Sequence, residues 1–298
     1  MQTVERYALL LLVACLTAML GRRLKLPYTV GLLLCGGVLS GLGLLGDLHL
    51  TRDLIFSVLL PPLIFEAAFY IPWKELRIDV KPILVLATIG VVLAMALTAV
   101  GMRFLAGWRW QAAIVFGTLI AATDPVSVIA TFKEAGVHGR LRLLVEAESL
   151  FNDGAAAVVF SVVLAWVTSG AVSGAQIGIT LLREVAGGCV IGLGVGGLLL
   201  WIAGKTDDHL IEIALTVVAA YGSFLLAQHF HASGVLATLC CGLLLGNYGT
   251  LGAISDAGRE AVGAFWEFAA FVVNTIVFLL IGAQEQNLLL ELSRYAVP

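Results

Sequence analysis

The sequence predicts an all-α polytopic membrane protein, and three observations carry that prediction. Its 298 residues are 60% hydrophobic and only 12% charged, whereas a water-facing domain carries roughly 25% charge. Apolar runs of about 20 residues, the length that crosses a bilayer as a helix, recur along the whole chain. The connections between them are short and hold most of the charges, as loops at a membrane surface do. With Lys+Arg at 17 against Asp+Glu at 20 the net charge is -3, so there is no basic surface for nucleic acid. Cys15, Cys35, Cys189, Cys240 and Cys241 fall inside apolar runs without Cys-x-x-Cys spacing. That pattern points to packing rather than to a disulfide framework or a zinc site.

Taken in order, about ten spans are expected, near 7–21, 28–45, 54–71, 82–104, 111–132, 141–168, 176–203, 209–228, 231–247 and 262–283. The first is short enough to pass for the core of a signal peptide, but Arg22, Arg23 and Lys25 follow it rather than precede it, the pattern of a retained span. Trp108 and Trp110 with Arg109 read as an interfacial anchor between the fourth and fifth spans. The seventh span holds Gly188, Gly192 and Gly196 at four-residue spacing, which lets helices approach closely in lipid. The same run contains Gly192-x-Gly194-x-x-Gly197, a formal dinucleotide fingerprint. It sits inside an apolar helix without the strand and acidic residue that the fingerprint requires, so helix packing is the better reading. His229 and His231 bracket a tight turn between spans eight and nine. After the tenth span, Glu285 to Pro298 is too short and polar to cross.

Counting basic residues on alternate sides gives the orientation. Arg22, Arg23, Lys25, Lys74, Arg77, Lys81, Lys133, Arg140, Arg142, Lys205 and Arg259 share one side; Arg6, Arg52, Arg103, Arg109, Arg183 and Arg294 share the other. The larger set marks the cytoplasm, which places the N-terminus outside. His138 falls in a cytoplasmic loop.

A charge at the bilayer centre costs at least ~2.5 kcal/mol, so an intramembrane carboxylate is a functional candidate by default. The fifth span carries Thr123-Asp124-Pro125. Pro125 removes a backbone donor and clashes with the preceding turn, so the helix should break near Thr123 and Asp124. Such a break is tolerated only inside protein or beside a water-filled cavity. Asp124 is either a cation ligand beside freed carbonyls or a cap on the following half-helix, and the two roles are compatible. The sixth span carries Glu148-Ser149-Leu150-Phe151-Asn152-Asp153. Glu148 and Asn152 share one helical face, and Ser149 and Asp153 the adjoining one, so the polarity forms a stripe. At ~1.5 Å per residue Asp124 and Asp153 lie at similar depth from one cytoplasmic loop, and antiparallel neighbours would bring them together near mid-membrane. Burial disfavours a charged carboxylate and a bound cation restores it, so one residue holds a proton or a cation in competition. Glu66, after Pro61-Pro62 in the third span, is a weaker candidate that reads more as a helix-pairing residue.

Taken together, Arg22 to Gly31, Leu59 to Phe69, Thr123-Asp124-Pro125, Glu148 to Asp153, His231 to Ala237 and Phe265 to Gly282 resemble the NhaP-like sodium/proton exchangers among the monovalent cation/proton antiporters. The resemblance implies an inverted-repeat antiporter fold with a broken fifth helix, about ten helices here of an expected thirteen. It implies dimerisation-domain helices at 1–81, the first half of an ion-binding core at 82–168, a linker helix at 169–208, and further dimerisation-domain helices with a short tail at 209–298. The second half of the core would follow Pro298. Carried over, Asp153 resembles the ion- and proton-binding carboxylate and Asn152 its neighbour in the electroneutral branch. Asp124 and Thr123 resemble the groups at the broken helix, with Na+ held at Asp153 and Asp124. Glu148 resembles a carboxylate that pairs with an arginine of a later core helix; Ser149, Pro125 and Glu66 support the site.

The implied function is secondary exchange of Na+, Li+ or K+ for H+ by alternating access, electroneutral because the Asn-Asp pair offers one titrating carboxylate. The partners are monovalent cations, protons, the bilayer and a second copy in a homodimer, without nucleic acid or cofactor. The location is a prokaryotic plasma membrane, crossed several times. The rival readings are an intramembrane aspartyl protease, whose Gly-x-Gly-Asp context is missing around Asp124 and Asp153, and a cation channel.

Overall fold

The computed structural model describes residues 8, 10–17, 19, 28–44, 51, 53–123, 132, 139–170, 174–249 and 254–295, with side chains as far as residue 284 apart from those of 169 and 174. Among these, all regular structure is helical. The helices are α1 (10–17), α2 (Tyr28–Gly41), α3 (Leu60–Tyr70), α4 (Trp73–Val85), α5 (Val91–Leu105) and α6 (Trp110–Leu119), then α7 (Arg140–Ser169), α8 (Gly174–Ala203), α9 (His209–His229), α10 (Gly234–Tyr248) and α11 (Asp256–Tyr295). Wide π turns at Leu54–Leu59 and Leu86–Gly90 lead into α3 and α5. Each of the ten expected spans therefore falls on helix among the described residues. Five helical stretches are long and apolar enough to cross a membrane: Trp73–Leu105, Arg140–Thr168, Ala175–Ala203, His209–His229 and Asp256–Gln284. Tyr28–Gly41, Leu54–Tyr70, Trp110–Leu119 and Gly234–Tyr248 are apolar but shorter.

Two boundaries differ from the sequence reading, each for a visible reason. The fourth span was expected from residue 82, yet helix begins at Trp73. Pro72 is extended (φ -74, ψ 115) and starts the helix, while Asn247 bridges the joint by accepting from the Trp73 N–H at 2.7 Å and donating to the Ile71 carbonyl at 2.9 Å. Pro82 is accommodated inside α4, and a π turn follows one turn later at Leu86–Gly90. The last helix runs to Tyr295, past the expected end at 283.

Helix ends follow local chemistry. Asp208 caps α9 by accepting from the Leu210 N–H, and Ser233 caps α10 through the Leu236 N–H. Between them, Ala232 donates to the Ala227 carbonyl at 2.8 Å and His231 to that of Gln228 at 3.0 Å. That pair of bonds forms a Schellman turn. It forces His231 to a positive φ of 54°, so the tight turn expected at His229 and His231 is real. α7 ends on Gly170 at φ 76°, whose N–H reaches the Trp166 carbonyl.

By packing, the chain divides into one unit of residues 1–63 and 265–298 and another of 64–264, a division separate from the boundaries expected at 81, 168 and 208. In the first unit α2 and α11 meet backbone to backbone. A Cβ at Gly36 would overlap the Leu279 carbonyl, and one at Gly282 the Leu33 carbonyl; Tyr28 stacks on Phe271 and its hydroxyl meets that of Thr275 at 2.5 Å. In the second unit α8, α9 and α10 pack on one another, and α7 packs on α4, α6 and the Leu86–Gly90 turn. Gly188 faces Ser233 and Leu236, Gly192 faces Ala237, and Gly196 faces Cys241 and Leu245. The contacts advance in the same direction along both chains, so α8 and α10 run parallel. Gly242 against Phe65 and Gly246 against Phe69 show the same for α10 and α3.

A cap shared between helices closes this unit. Glu212 on α9 is 1% exposed and accepts from the Ser255 N–H at 2.8 Å and the Ser255 hydroxyl at 3.0 Å. Ser255 in turn accepts from the Gly258 N–H at 3.0 Å. Glu212 thus occupies the place that a glutamate three residues into α11 would fill in an ordinary capping box, and a Cβ at Gly258 would collide with it. Glu212→Ala is expected to lower stability by about 2 kcal/mol, because a buried N–H loses its acceptor. Glu212→Gln, which keeps an acceptor oxygen, should lose less. Unfolding in detergent micelles measures both.

Candidate functional site

The fifth-span helix stops before Thr123, where the break was expected. α6 ends at Leu119; Ile120 bonds back to Phe116 and Ala121 to Thr118, and the chain is non-helical by Thr123. Asp124, Pro125, Lys133 and His138 lie outside the described residues. Helical hydrogen bonding therefore stops before Thr123.

α7 reaches this segment with its polar side chains. The Ser149 hydroxyl donates to the Thr123 carbonyl in a very short contact. The Thr123 hydroxyl donates to Ser149 Oγ at 3.4 Å, and Asn152 Nδ2 reaches Thr123 Oγ1 at 3.4 Å. Asn152 Nδ2 also donates to Glu148 Oε1 at 3.1 Å, one turn back on the same helix. Ser149 and Asn152 are 1% and 3% exposed. Because the amide nitrogen must face the acceptor oxygen of Glu148, the amide oxygen is turned the other way. Asn152 Oδ1 is buried and has no hydrogen-bond partner among the described residues, and a buried acceptor left open costs about 1–3 kcal/mol. Such an oxygen is suited to a donor or a cation.

Asp153 follows Asn152 on α7 and is partly buried. Gly154 seats this stretch against the start of α10, since a Cβ there would press into the Leu236 side chain. Ala156, one turn on, packs with Val91 and Ala121. The broken segment, α5 and α7 are thereby fixed around the polar stripe. Thr123, Ser149, Asn152 and Glu148 lie together, with Asp153 next along α7; the meeting of Asp124 with Asp153 expected from the spacing falls outside the described residues. Glu66 lies on α3, partly buried. No group of three or more His, Cys, Asp or Glu suited to a metal occurs among the described residues.

Two carboxylates escaped the sequence reading, besides Glu212. Asp79 is buried on α4 and takes a two-pronged pair from Arg140 at 2.8 and 2.7 Å, which ties the start of α7 to α4. Its signal was hidden in a charged stretch that reads as loop. Glu184 on α8 meets the Ser161 hydroxyl of α7 at 2.5 Å; an acidic residue inside an expected span is a signal on that ground alone.

Comparison with known proteins gives concordant matches. A family model described as "Sodium/hydrogen exchanger, transmembrane" matches residues 9–294. The Na(+)/H(+) antiporter ApNhaP of Aphanothece halophytica is 41% identical over 270 residues, covering 87% of this chain and 50% of that protein. The Na(+)/H(+) antiporter NhaH of Halobacillus dabanensis is 31% identical over 294 residues, covering 94% and 73%. The chain thus spans about half the length of ApNhaP, and likewise 49% and 51% of two antiporters of Synechocystis. Among solved structures, the sodium proton antiporter MjNhaP1 from Methanocaldococcus jannaschii has the same fold, with a TM-score of 0.77 at 23% identity over 94% of this chain and 69% of that one.

Proposed function

Because the chain belongs to the sodium/hydrogen exchanger family, we propose that the protein carrying it exchanges Na+, Li+ or K+ for H+ across a membrane, with Asp153 binding cation and proton in competition. The observation that carries the reading is the broken segment at Thr123 clasped to α7 by Ser149 and Asn152, beside Asp153. A monovalent cation needs several oxygens and little net charge. The Ser149 hydroxyl, the Thr123 carbonyl and the buried Asn152 Oδ1 are oxygens of that kind, gathered beside a carboxylate. Asp124 would add the second carboxylate from across the break.

Competition follows from charge. With a cation bound, the carboxylate is stabilised in its ionised form; with the cation gone, it is free to take a proton. Exchange results when the site opens to the two sides in turn. The Asn152–Asp153 pair offers one titrating carboxylate where two adjacent acids would offer two, which supports a one-for-one, electroneutral cycle. The protein would act as a homodimer in a prokaryotic plasma membrane with its N-terminus outside.

The test uses everted vesicles carrying the whole protein and an imposed pH gradient. Adding NaCl, LiCl or KCl should dissipate the gradient, and collapsing the membrane potential should leave the rate unchanged. A gradient that persists in all three salts overturns the exchange reading. A rate that follows the potential overturns electroneutrality alone.

A further inference from the structure

The second unit also holds a carboxyl that the polar stripe does not use. Glu184 lies on α8, nine residues into the stretch Ala175–Ala203 that is long and apolar enough to cross a membrane, where a fixed charge is costly. Its partner is Ser161 on α7, eight residues past Asp153, or roughly 12 Å along the helix axis. The Ser161 hydroxyl has two oxygen neighbours, Glu184 Oε1 at 2.5 Å and the Val158 carbonyl at 2.8 Å. A serine hydroxyl has one proton to give, while a carbonyl and an ionised carboxylate can only accept. With Glu184 ionised, one of the two contacts would bring oxygens together with no proton between them. A protonated Glu184 removes the conflict, because it donates to Ser161 Oγ while Ser161 donates to Val158.

The surroundings supply no cation that would hold a carboxylate instead. Among the described residues no ion pair involves Glu184. Arg183, next to it on α8, donates through Nε and Nη2 to the Phe230 carbonyl at 3.2 and 2.8 Å. The turn between α9 and α10 packs here, since the Ser233 N–H donates to the Glu184 backbone carbonyl at 3.2 Å; its titratable residues, His229 and His231, are both exposed. Between Asp153 and Ser169 α7 carries no titratable residue, α10 carries none before Cys240, and the nearest on α9 ahead of His229 is Tyr221. We infer that Glu184 and Ser161 form a second proton-binding site, separate from Asp153, whose proton fastens α8 to α7. The site stands apart from the exchange reading and does not rest on it. When the proton leaves, Ser161 turns its single hydroxyl proton to the carboxylate and releases Val158, and a charge is left inside the bundle. The clasp is therefore present while the proton is held and is lost as pH rises.

The experiment reads the protonation state and is independent of transport. The whole protein is purified in dodecylmaltoside, a detergent without carbonyl groups, and its infrared spectrum at neutral pH is compared with that of Glu184→Gln. Gln keeps the size of the side chain and its Nε2 donates to Ser161 as the protonated acid does, so the fold is retained. The variant should lose the C=O stretch of a protonated carboxyl; loss of a carboxylate band in its place overturns the inference. In Ser161→Ala the same protonated band should shift or vanish, because its proton has lost its acceptor, and an unchanged band overturns the pairing. Thermal unfolding tests the clasp. As pH is raised from neutral, the wild type should lose stability relative to Glu184→Gln, which has no proton to release at that position. A difference between the two that stays constant with pH overturns the clasp.

Discussion

Asp153→Asn is expected to abolish cation/proton exchange while the protein still inserts in the membrane at its normal level. The substitution preserves size and hydrogen-bonding capacity but removes the group that binds either a proton or a cation, so no carboxylate remains at that position to alternate between the two. The structural cost should be small, because Asp153 is only partly buried, Asn has the same size, and Ser149 and Asn152 still hold the Thr123 segment. Gradient dissipation in everted vesicles and the amount of protein in the membrane fraction read the two halves of the prediction. Wild-type rates of dissipation in the variant would remove Asp153 from the mechanism. A companion Ser149→Ala, by contrast, keeps the carboxylate and loosens the broken segment, so it should weaken exchange without eliminating it.

Gly192→Leu is expected to disrupt the second unit, and by more than either neighbouring glycine of the same run. At Gly192 even a Cβ would overlap the Ala237 carbonyl, whereas at Gly194 and Gly197 a Cβ meets nothing within 4 Å. Relief requires α8 and α10 to separate along their shared seam, at a cost of about 3 kcal/mol, in a setting where close backbone packing is much of what holds helices together. Thermal unfolding in detergent should show a large loss for Gly192→Leu and little change for Gly194→Leu. Equal losses at the two positions would mean that the run is not a packing seam. The contrast also disposes of the dinucleotide fingerprint in physical terms. Its three glycines lie inside one continuous helix, Gly174–Ala203, and of those three only Gly192 faces a neighbouring backbone.

The polar stripe is legible from the amino-acid order because its geometry is local. Residues three or four apart on a helix share a face wherever that helix is placed, so Glu148, Ser149 and Asn152 were bound to line up once residues 141–168 were helical. The break before Thr123 is legible because Pro125 cannot continue a helix. The helix of 256–295 is harder to see. Its polar tail lacks the apolar length that betrays a span, yet helical hydrogen bonds continue through Tyr295. The start of α4 escapes because Lys74 to Lys81 look like loop by composition, and the cue to helix, Asn247 bridging Ile71 and Trp73, comes from a residue 174 positions away.

Composition and local spacing were enough to specify a helical membrane protein, the approximate places of its spans, the interrupted fifth helix and the face that carries Asp153. These follow from constraints that act along a single segment: a bilayer demands about 20 apolar residues per crossing, and 3.6 residues per turn fixes which side chains are neighbours. Which helix meets which was settled by packing alone. Arg140 finds Asp79 across 61 residues and Glu212 finds Ser255 across 43, while Gly192 meets Ala237 because a missing Cβ lets two parallel helices touch. Such pairings depend on how far each helix is rotated and slid against its neighbour, and those two quantities are set by the fit of whole surfaces rather than by any one stretch of chain.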